Sequence, residues 1–258
     1  MRLREPVQVI ASWLFIVAFC TAAMAVTLLT AGRFSHRLTP FLLRFWGRNM
    51  LRIAGVTWEV QGGEHLREGG MKIATFNHGS LLDAFLVTAV MPRGGVAAIK
   101  REALFYPVVG LTLYLLGFLL IDRGNSARAR ATMDRAARRM AAEQLTVFIA
   151  PEGTRRTGDE LLPFKRGALF LALESGAPIV PMLIDGAFEL HGPGRLTSTR
   201  GHVVIRFLPP RPSGRLTAET VSAETEALRE LYRTELLRLR ADRRVTAALA
   251  TAPAPAPA

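Results

Sequence analysis

Cysteine is nearly absent from this chain of 258 residues, which contains only Cys20. One thiol forms no intrachain disulfide, and without further ligands it builds no zinc site. Because Cys20 lies inside an apolar run, the remainder of the chain offers no thiol nucleophile. These absences exclude a disulfide-stabilised fold and thiol catalysis, and they favour a reducing, cytoplasmic setting.

Acidic and aromatic residues are also few. The chain has 21 Asp and Glu against 33 Lys and Arg, for a formal net charge of +12, and only three Tyr and three Trp. A strongly basic protein usually binds either nucleic acid or an anionic membrane surface. No nucleic-acid-binding motif is present, while half of the residues are hydrophobic and the mean hydropathy is +0.22. Anionic membrane lipids are therefore the expected partner, and nucleic acid is not.

Charge is missing altogether from residues 7–31, a run of 25 residues. A helix needs about 20 apolar residues to cross the core of a bilayer. The alternative is a cleaved signal peptide, but its apolar region usually has about 7–15 residues, so the length favours a retained anchor. More arginines follow the run than precede it, which by the positive-inside rule places the rest of the chain in the cytoplasm. We expect a cell-membrane protein, at the inner membrane if the source is bacterial.

Residues 39–55 combine apolar side chains at helical spacing with arginines four positions apart, at Arg44, Arg48 and Arg52. A basic amphipathic helix beside an anchor is typical of a segment that lies in the membrane interface. The alternative is a helix that packs on the domain and exposes its arginines to solvent. The position after the anchor favours the interfacial interpretation.

Beyond residue 55, short β-branched runs alternate with helical patterns, which predicts an α/β domain with a largely parallel sheet flanked by helices. Three regions follow: an anchor with its amphipathic helix at 1–55, the α/β domain at 56–241 and a disordered Ala/Pro-rich tail at 242–258. The predicted strands cover 56–62, 71–77, 95–100, 146–150, 177–185 and 202–208. The predicted helices cover 81–90, 125–143, 165–175 and 220–241.

The uncharged segment at 103–121 is long enough to cross a membrane. Pro107, Gly110 and Gly117 interrupt it, and a buried helix that leads into a strand fits it equally well. A crossing would also separate the polar motifs on its two sides. Because those motifs look like parts of one site, we expect no crossing.

A histidine and an aspartate stand five positions apart in the motif NHGSLLD at 77–83. The motif links a predicted strand to a predicted helix, where open α/β sheets usually bind ligands. Asp83 can turn back toward the His78 imidazole, fix its tautomer and favour the imidazolium that forms when a proton is taken. Ser80 is a weaker candidate nucleophile, because no nucleophile elbow surrounds it. The structural alternative is a capping Asn77 beside a buried His–Asp pair.

A second polar motif, PEGTR at 151–155, follows another predicted strand. Its Gly and Thr suit a tight turn that presents backbone N–H groups, and Arg155 offers a forked donor for phosphate. The alternative is an ordinary polar turn with a surface ion pair. Further basic residues lie at the ends of predicted elements and together could bind one phosphate group. Each of them alone is equally consistent with an ordinary surface charge. They are Lys100, Arg101, Arg123, Lys165 and Arg166.

Taken in order, four motifs resemble those of the 1-acylglycerol-3-phosphate acyltransferases, within the wider glycerolipid acyltransferase group. The resemblance covers about residues 50–210 and implies a glycerol-3-phosphate acyltransferase-like domain. It implies transfer of an acyl group from acyl-CoA or acyl-carrier protein to the sn-2 hydroxyl of lysophosphatidic acid, with no metal or other cofactor. The motifs are NHGSLLD (77–83), KREALFYPVVG (100–110) with GFLLIDR (117–123), IAPEGTRR (149–156) with FKRGAL (164–169), and IVPMLID (179–185).

The resemblance also implies roles for the matching positions. His78 acts as the general base and Asp83 orients it. Arg155 and Lys100 hold the acceptor phosphate, while Glu152 and Gly153 shape the acceptor site. The full set of residues expected to bind substrate is Lys100, Arg123, Glu152, Gly153, Thr154, Arg155 and Lys165.

Two positions depart from the family pattern. Neither removes a catalytic group, but both affect which acceptor headgroup is expected. Arg156 stands where serine is frequent, and Arg101 adds a basic residue to the second motif. Acylation of another lysolipid, such as lyso-ornithine lipid or one with a larger headgroup, therefore stays open. The alternative to an enzyme is a noncatalytic membrane-binding scaffold with the same fold. The presence of both His78 and Asp83 disfavours this alternative.

Overall fold

The chain builds a seven-stranded sheet flanked by helices, as seen in a computed structural model that describes residues 4–29, 35–67, 70–106, 109–121, 126–158 and 160–251. The strands are β1 (Val56–Gln61), β2 (Lys72–Phe76), β3 (Gly95–Lys100), β4 (Leu119–Ile121), β5 (Thr146–Ile149), β6 (Ile179–Asp185) and β7 (Gly201–Phe207). The helices are α1 (Arg4–Leu29), α2 (Ser35–Ala54), α3 (Glu64–Arg67), α4 (Leu82–Val90), α5 (Val109–Leu115), α6 (Ser126–Glu143), α7 (Gly167–Ser175), α8 (Ala187–Leu190) and α9 (Val221–Thr251).

The strand order in the sheet is β1-β7-β6-β2-β5-β3-β4. Strands β6, β2, β5, β3 and β4 all run in one direction, because each neighbouring pair among them is parallel. β7 is antiparallel to β6, and β1 is parallel to β7, so this edge pair runs the opposite way. The predicted α/β class with a largely parallel sheet is confirmed.

Alternate residues of the central strands enter two apolar cores, one on each face of the sheet. In β2, Ile73 faces the core that contains α6, α7 and α9, whereas Ala74 faces the core that contains α2 and α4. All five residues of β2 are buried, as expected for a strand covered on both faces. The sheet therefore holds the residues that follow β2, β5 and β6 in fixed relative positions.

Helix α2 packs tightly across α4, the helix that begins within the NHGSLLD motif. A Cβ added at Gly47 would lie 2.3 Å from Thr88 Oγ1 and 2.5 Å from the Phe85 carbonyl oxygen, so only glycine allows this close approach. The other side of α2 is exposed, including Phe45 and Arg48. One side of α2 therefore packs on the domain, and the other exposes apolar and basic side chains; its position in the membrane interface stays a prediction.

Among the described residues, α1 contains the one segment that is long and apolar enough to cross a membrane, Glu5–Leu29. Only one side of α1 contacts the domain, through Phe19, Cys20 and Ala23 against Trp46 and neighbouring residues. Most of the helix surface is apolar and uncovered, and its most exposed large side chains are Val7, Ile10, Trp13, Leu14, Leu28 and Leu29.

In its described parts, 103–106 and 109–121, the uncharged segment forms no membrane-spanning helix. Part of a 3₁₀ turn (Arg101–Phe105) and then α5 precede β4, which pairs with β3 inside the sheet. The expectation of a buried helix is wrong, however, because Leu111 and Tyr114 of α5 are 54% and 61% exposed. α5 lies beside the edge of the sheet, where neighbours cover only one of its sides.

The last helix extends further than the sequence pattern indicates. α9 ends at Thr251, whereas the disordered tail is predicted to start at residue 242. The extra turns, residues 242–251, contain three Ala and two Arg, which have high helix propensity, and the next proline comes only at Pro253. The rest of the tail, 252–258, and the predicted site residue Arg123 lie outside the described residues.

Candidate active site

The carboxyl ends of three adjacent strands bring the polar motifs together. β2 lies between β5 and β6 in the sheet, and all three strands point the same way. Asn77 and His78 follow β2, the PEGTR turn follows β5, and a connection that starts at Gly186 follows β6. Ligands commonly bind at this edge of open α/β sheets.

His78 and Asp83 form a hydrogen-bonded pair, as the five-residue spacing predicts. His78 Nδ1 lies 3.0 Å from Asp83 Oδ2, and the same oxygen accepts the backbone N–H groups of Gly79 and Ser80, each at 2.8 Å. Asp83 is 2% exposed, whereas the His78 side chain is 24% exposed. The buried carboxylate therefore fixes the ring through Nδ1, and Nε2 is the nitrogen left for proton transfer.

Asn77 does not cap α4; it fastens β2 to β6 instead. Its side-chain amide donates to the Ile184 carbonyl at 2.9 Å, and its side-chain oxygen accepts the Ile184 N–H at 2.8 Å. Tyr232 of α9 makes a second link between the same strands, because its hydroxyl bonds to Thr75 and to the N–H of Met182. Two side chains therefore tie β2 to β6 directly before His78.

Ser80 is engaged in the local structure. Its hydroxyl donates to the His191 carbonyl at 2.8 Å and accepts the N–H of Leu82 at 3.1 Å. No contact joins the hydroxyl to His78 in the part of the chain that the structure describes. The structure therefore supports a structural role for Ser80 over nucleophilic catalysis.

Glu152 is buried behind the His78–Asp83 pair and accepts hydrogen bonds from backbone N–H groups. It is 2% exposed, and its two oxygens accept the backbone N–H of His78 at 2.7 Å and of Leu162 at 3.0 Å. Burial raises the pKa of the Glu152 carboxyl above its ordinary value, although these two N–H groups partly oppose the rise. Glu152 therefore shapes the site from beneath, by fixing the position of His78.

Glu152→Gln should lower the free energy of unfolding and change how it depends on pH. An amide accepts through only one oxygen, so one of the two N–H groups loses its partner, at a cost of about 1–3 kcal/mol in the free energy of unfolding. Because the pKa of Glu152 is higher in the folded state than the ordinary 4.5, the folded state of the wild type binds the proton more tightly. The free energy of unfolding of the wild type therefore falls as pH rises from 4.5 through the raised pKa. Glutamine does not titrate, so the variant should lack this pH-dependent fall. Chemical denaturation at several pH values measures both effects.

Glu160→Gln is the matched control, because Glu160 is exposed on the same loop. This control should keep the wild-type stability and its pH dependence. Equal unfolding free energies and equal pH slopes for wild type and Glu152→Gln would contradict the supporting role of Glu152.

Gly153 and Lys165 lie against each other beside this loop. Gly153 has φ +74°, and a Cβ there would lie 2.9 Å from two carbons of the Lys165 side chain. The backbone N–H of Lys165 donates to the Pro151 carbonyl at 2.8 Å. Lys100 is exposed at the end of β3, two strands away from β2. The structure thus brings Lys165 to the PEGTR turn, whereas no contact in the described residues brings Lys100 to His78.

A cavity of about 360 Å³ opens beside the His78–Asp83 pair. Thr154 and Arg155, both predicted to bind substrate, are exposed and line it. Its remaining walls come from the turn after β2 and from the connection after β6. The complete lining is Gly79, Ser80, Leu81, Thr154, Arg155, Arg156, Thr157, His191, Gly192, Pro193, Gly194 and Arg195.

Arg156 has a larger part in this site than the sequence indicates. It is only 3% exposed, and its backbone N–H donates to the His78 carbonyl at 3.0 Å. Its guanidinium lies over the Phe188 ring at 5.4 Å and closely approaches Gly79. The departure from the family pattern is therefore a buried cation that joins the PEGTR turn to the turn of His78.

His191 and Arg195 are cavity residues that the motif analysis missed. They belong to the connection between β6 and β7, which lies outside every motif. Burial lowers the pKa of the His191 imidazole, and the nearby Arg155 and Arg195 lower it further. The one local signal is the sequence GPGR at 192–195, which predicts a tight turn but does not indicate its neighbours.

Comparisons with known proteins identify the family that this chain resembles. A family model described as Acyltransferase matches residues 57–185. The chain is 33% identical to 1-acyl-sn-glycerol-3-phosphate acyltransferase beta of Homo sapiens over 218 residues, which are 84% of this chain and 78% of that protein. It is also 33% identical to the 1-acyl-sn-glycerol-3-phosphate acyltransferase of Limnanthes alba, over 72% of this chain and 66% of that protein.

A solved structure supports the fold independently. The crystal structure of the 1-acyl-sn-glycerophosphate (LPA) acyltransferase PlsC from Thermotoga maritima superposes with a TM-score of 0.76. The match covers 93% of this chain and 98% of that chain, at 22% sequence identity. At this identity the comparison establishes the shared fold.

Proposed function

This chain belongs to the acyltransferase family of the 1-acyl-sn-glycerol-3-phosphate acyltransferases, and from that premise we propose that it acylates the sn-2 hydroxyl of lysophosphatidic acid to give phosphatidic acid. The observation that carries the proposal is the buried Asp83 carboxylate bonded to the half-buried His78 imidazole, next to an arginine-lined cavity. An acyl-CoA or acyl-carrier protein supplies the acyl thioester.

In this mechanism, His78 Nε2 takes the proton of the acceptor hydroxyl as its oxygen attacks the thioester carbonyl. Asp83 favours the resulting imidazolium through Nδ1–H. When the tetrahedral intermediate collapses, the carbon–sulfur bond breaks and the imidazolium returns the proton to the leaving thiolate. General base catalysis of this kind contributes about 10²–10⁴-fold. The N–H groups of Gly79 and Ser80 bond to Asp83, so other donors serve the oxyanion.

The acceptor phosphate belongs in the cavity, where Arg155 offers the forked donor geometry that suits phosphate oxygens. Thr154 adds a hydroxyl on the same wall. The Lys165 side chain packs against Gly153 and adds positive charge beside this turn. Lys100 and Arg123 remain proposals that follow from the family motifs alone.

Membrane attachment gives the enzyme access to an acceptor that lives in the bilayer. The apolar surface of α1 and the exposed Phe45 and Arg48 of α2 support contact with an anionic leaflet. Each Lys or Arg near such a surface contributes about 1 kcal/mol of attraction. With the catalytic domain on the cytoplasmic side, the enzyme meets its soluble acyl donor there.

The full chain in lipid vesicles, supplied with labelled acyl thioester and a panel of lysolipids, tests this function. We expect lysophosphatidic acid to be acylated with a kcat/KM at least about tenfold above that of lysophosphatidylcholine or lyso-ornithine lipid, because only it presents a terminal phosphate to Arg155. Separate arms with acyl-CoA and acyl-carrier protein identify the donor. Acylation of another lysolipid in preference would reassign the acceptor, and no acylation of any lysolipid would favour the scaffold.

A further inference from the structure

The connection between β6 and β7 carries a tight turn that lines the same cavity as Thr154 and Arg155 of the PEGTR turn. Gly192-Pro193-Gly194-Arg195 has the geometry of a type II turn: Pro193 is in the second position, and Gly194 in the third has φ +76°. The Arg195 N–H donates to the Gly192 carbonyl at 3.4 Å. The turn thereby sets where the Arg195 backbone lies.

Several long-range contacts fix this connection to the rest of the site. Just before the turn, the His191 carbonyl accepts the Ser80 hydroxyl at 2.8 Å. At the start of the connection, the buried Asp185 pairs with Arg243 of α9 at 2.6 Å. After the turn, Ser198 donates to the Ala54 carbonyl at 3.0 Å, at the end of α2. These contacts hold the connection on both sides of the turn, so the turn forms an ordered part of the cavity lining.

Arginines from separate parts of the chain meet in this cavity. Arg155 and Arg156 come from the turn after β5, and Arg195 comes from the turn after β6. Arg155 and Arg195 line this cavity together with Gly79 and Ser80, whose backbone N–H groups donate to Asp83. A volume of about 360 Å³ lies within the range of small-molecule sites. Clustered cations in a small cavity favour a compact anion.

We propose that Arg195 is a specificity-determining residue that binds the phosphate monoester of the acceptor from the side of the cavity opposite Arg155. This assignment rests on the proposed function and extends it to a segment outside the family motifs. A phosphate monoester also occurs on coenzyme A, so the same chemistry has two sources. The adjacency of the turn to Ser80 and the catalytic pair favours the acceptor, whose hydroxyl must reach His78.

Steady-state kinetics of Arg195→Ala in the full chain test the proposal. Loss of one charged hydrogen-bonding partner should raise the KM for lysophosphatidic acid by about ten- to a hundredfold, with kcat changed less than about threefold. The KM for the acyl thioester should stay unchanged, and Arg195→Lys should recover part of the loss. Arg200→Ala is the control, because Arg200 is exposed on the same connection and does not line the cavity.

A rise in the donor KM alone would overturn the acceptor assignment, and so would an unchanged acceptor KM. A binding measurement keeps this test separate from the proposed function. Glycerol 3-phosphate should raise the thermal unfolding temperature of the wild type and of Arg200→Ala, and raise that of Arg195→Ala less. If the wild type binds glycerol 3-phosphate through Arg195 yet acylates no lysophosphatidic acid, the proposed function fails while the phosphate site stands. Equal shifts in all three proteins would refute the role of Arg195.

Discussion

His78→Ala is expected to lower kcat for acylation of lysophosphatidic acid by about 10²–10⁴-fold, the usual contribution of a positioned general base. The KM values should change little, because the imidazole acts on the reacting proton, whereas the proposed headgroup site is formed by the cavity arginines. Stability should also change little, since the side chain is 24% exposed and Asp83 keeps the N–H groups of Gly79 and Ser80. Initial rates and thermal unfolding of the same preparations measure these effects.

The control for this experiment is His202→Ala. His202 is exposed on β7 and interacts with Thr57 and Glu59, away from the cavity, so its removal should leave kcat at the wild-type level. A His78→Ala enzyme with full transfer activity would show that the base lies elsewhere. Loss of activity with a lowered unfolding temperature would point to a structural defect instead.

Asp83→Asn is expected to lower kcat by about 10²–10⁴-fold while leaving the fold intact. The asparagine oxygen can take the place of Oδ2 and accept the same three N–H groups, but it lacks the charge that favours the imidazolium. In Asp83→Ala, by contrast, the N–H groups of Gly79 and Ser80 lose their acceptor, at about 1–3 kcal/mol each in the free energy of unfolding. The two substitutions therefore separate catalysis from folding.

A double variant shows whether the two residues act as one unit. In the His78→Ala background, Asp83→Asn should cause little further loss of kcat, because its charge no longer has an imidazolium to stabilise. Asp242→Asn, which changes an exposed carboxylate paired with Arg206, is the control and should leave kcat unchanged. Independent, multiplying losses from His78→Ala and Asp83→Asn would argue against a coupled pair.

Local pattern was sufficient for the features that depend on neighbouring residues. The alternation of apolar runs and helical patterns predicted the α/β class, because side-chain periodicity follows from backbone geometry. The contact between His78 and Asp83 was also predictable, since five residues across the start of one helix leave little conformational choice. The end of α9 was missed by the same kind of reasoning, because helix propensity in its last turns outweighed the disorder assigned to the tail.

Contacts between distant segments depended on the tertiary structure. Asn77 and Ile184 are 107 positions apart, and Ser80 and His191 are 111 positions apart. No local pattern links such residues, because their proximity comes from the placement of β6 beside β2. For the same reason, the sequence indicated an acceptor-facing Glu152, whereas the structure buries it beneath His78.

The sequence alone was enough to predict the candidate groups: a histidine–aspartate pair, a turn suited to phosphate and a basic, apolar N-terminal region. These depend on residue types and short spacings, which the chain carries in any conformation. Only the tertiary structure decided which cations share the cavity with that pair, namely Arg155, Arg156 and Arg195. The physical reason is that adjacent parallel strands end at one edge of the sheet, so residues far apart in the chain meet there.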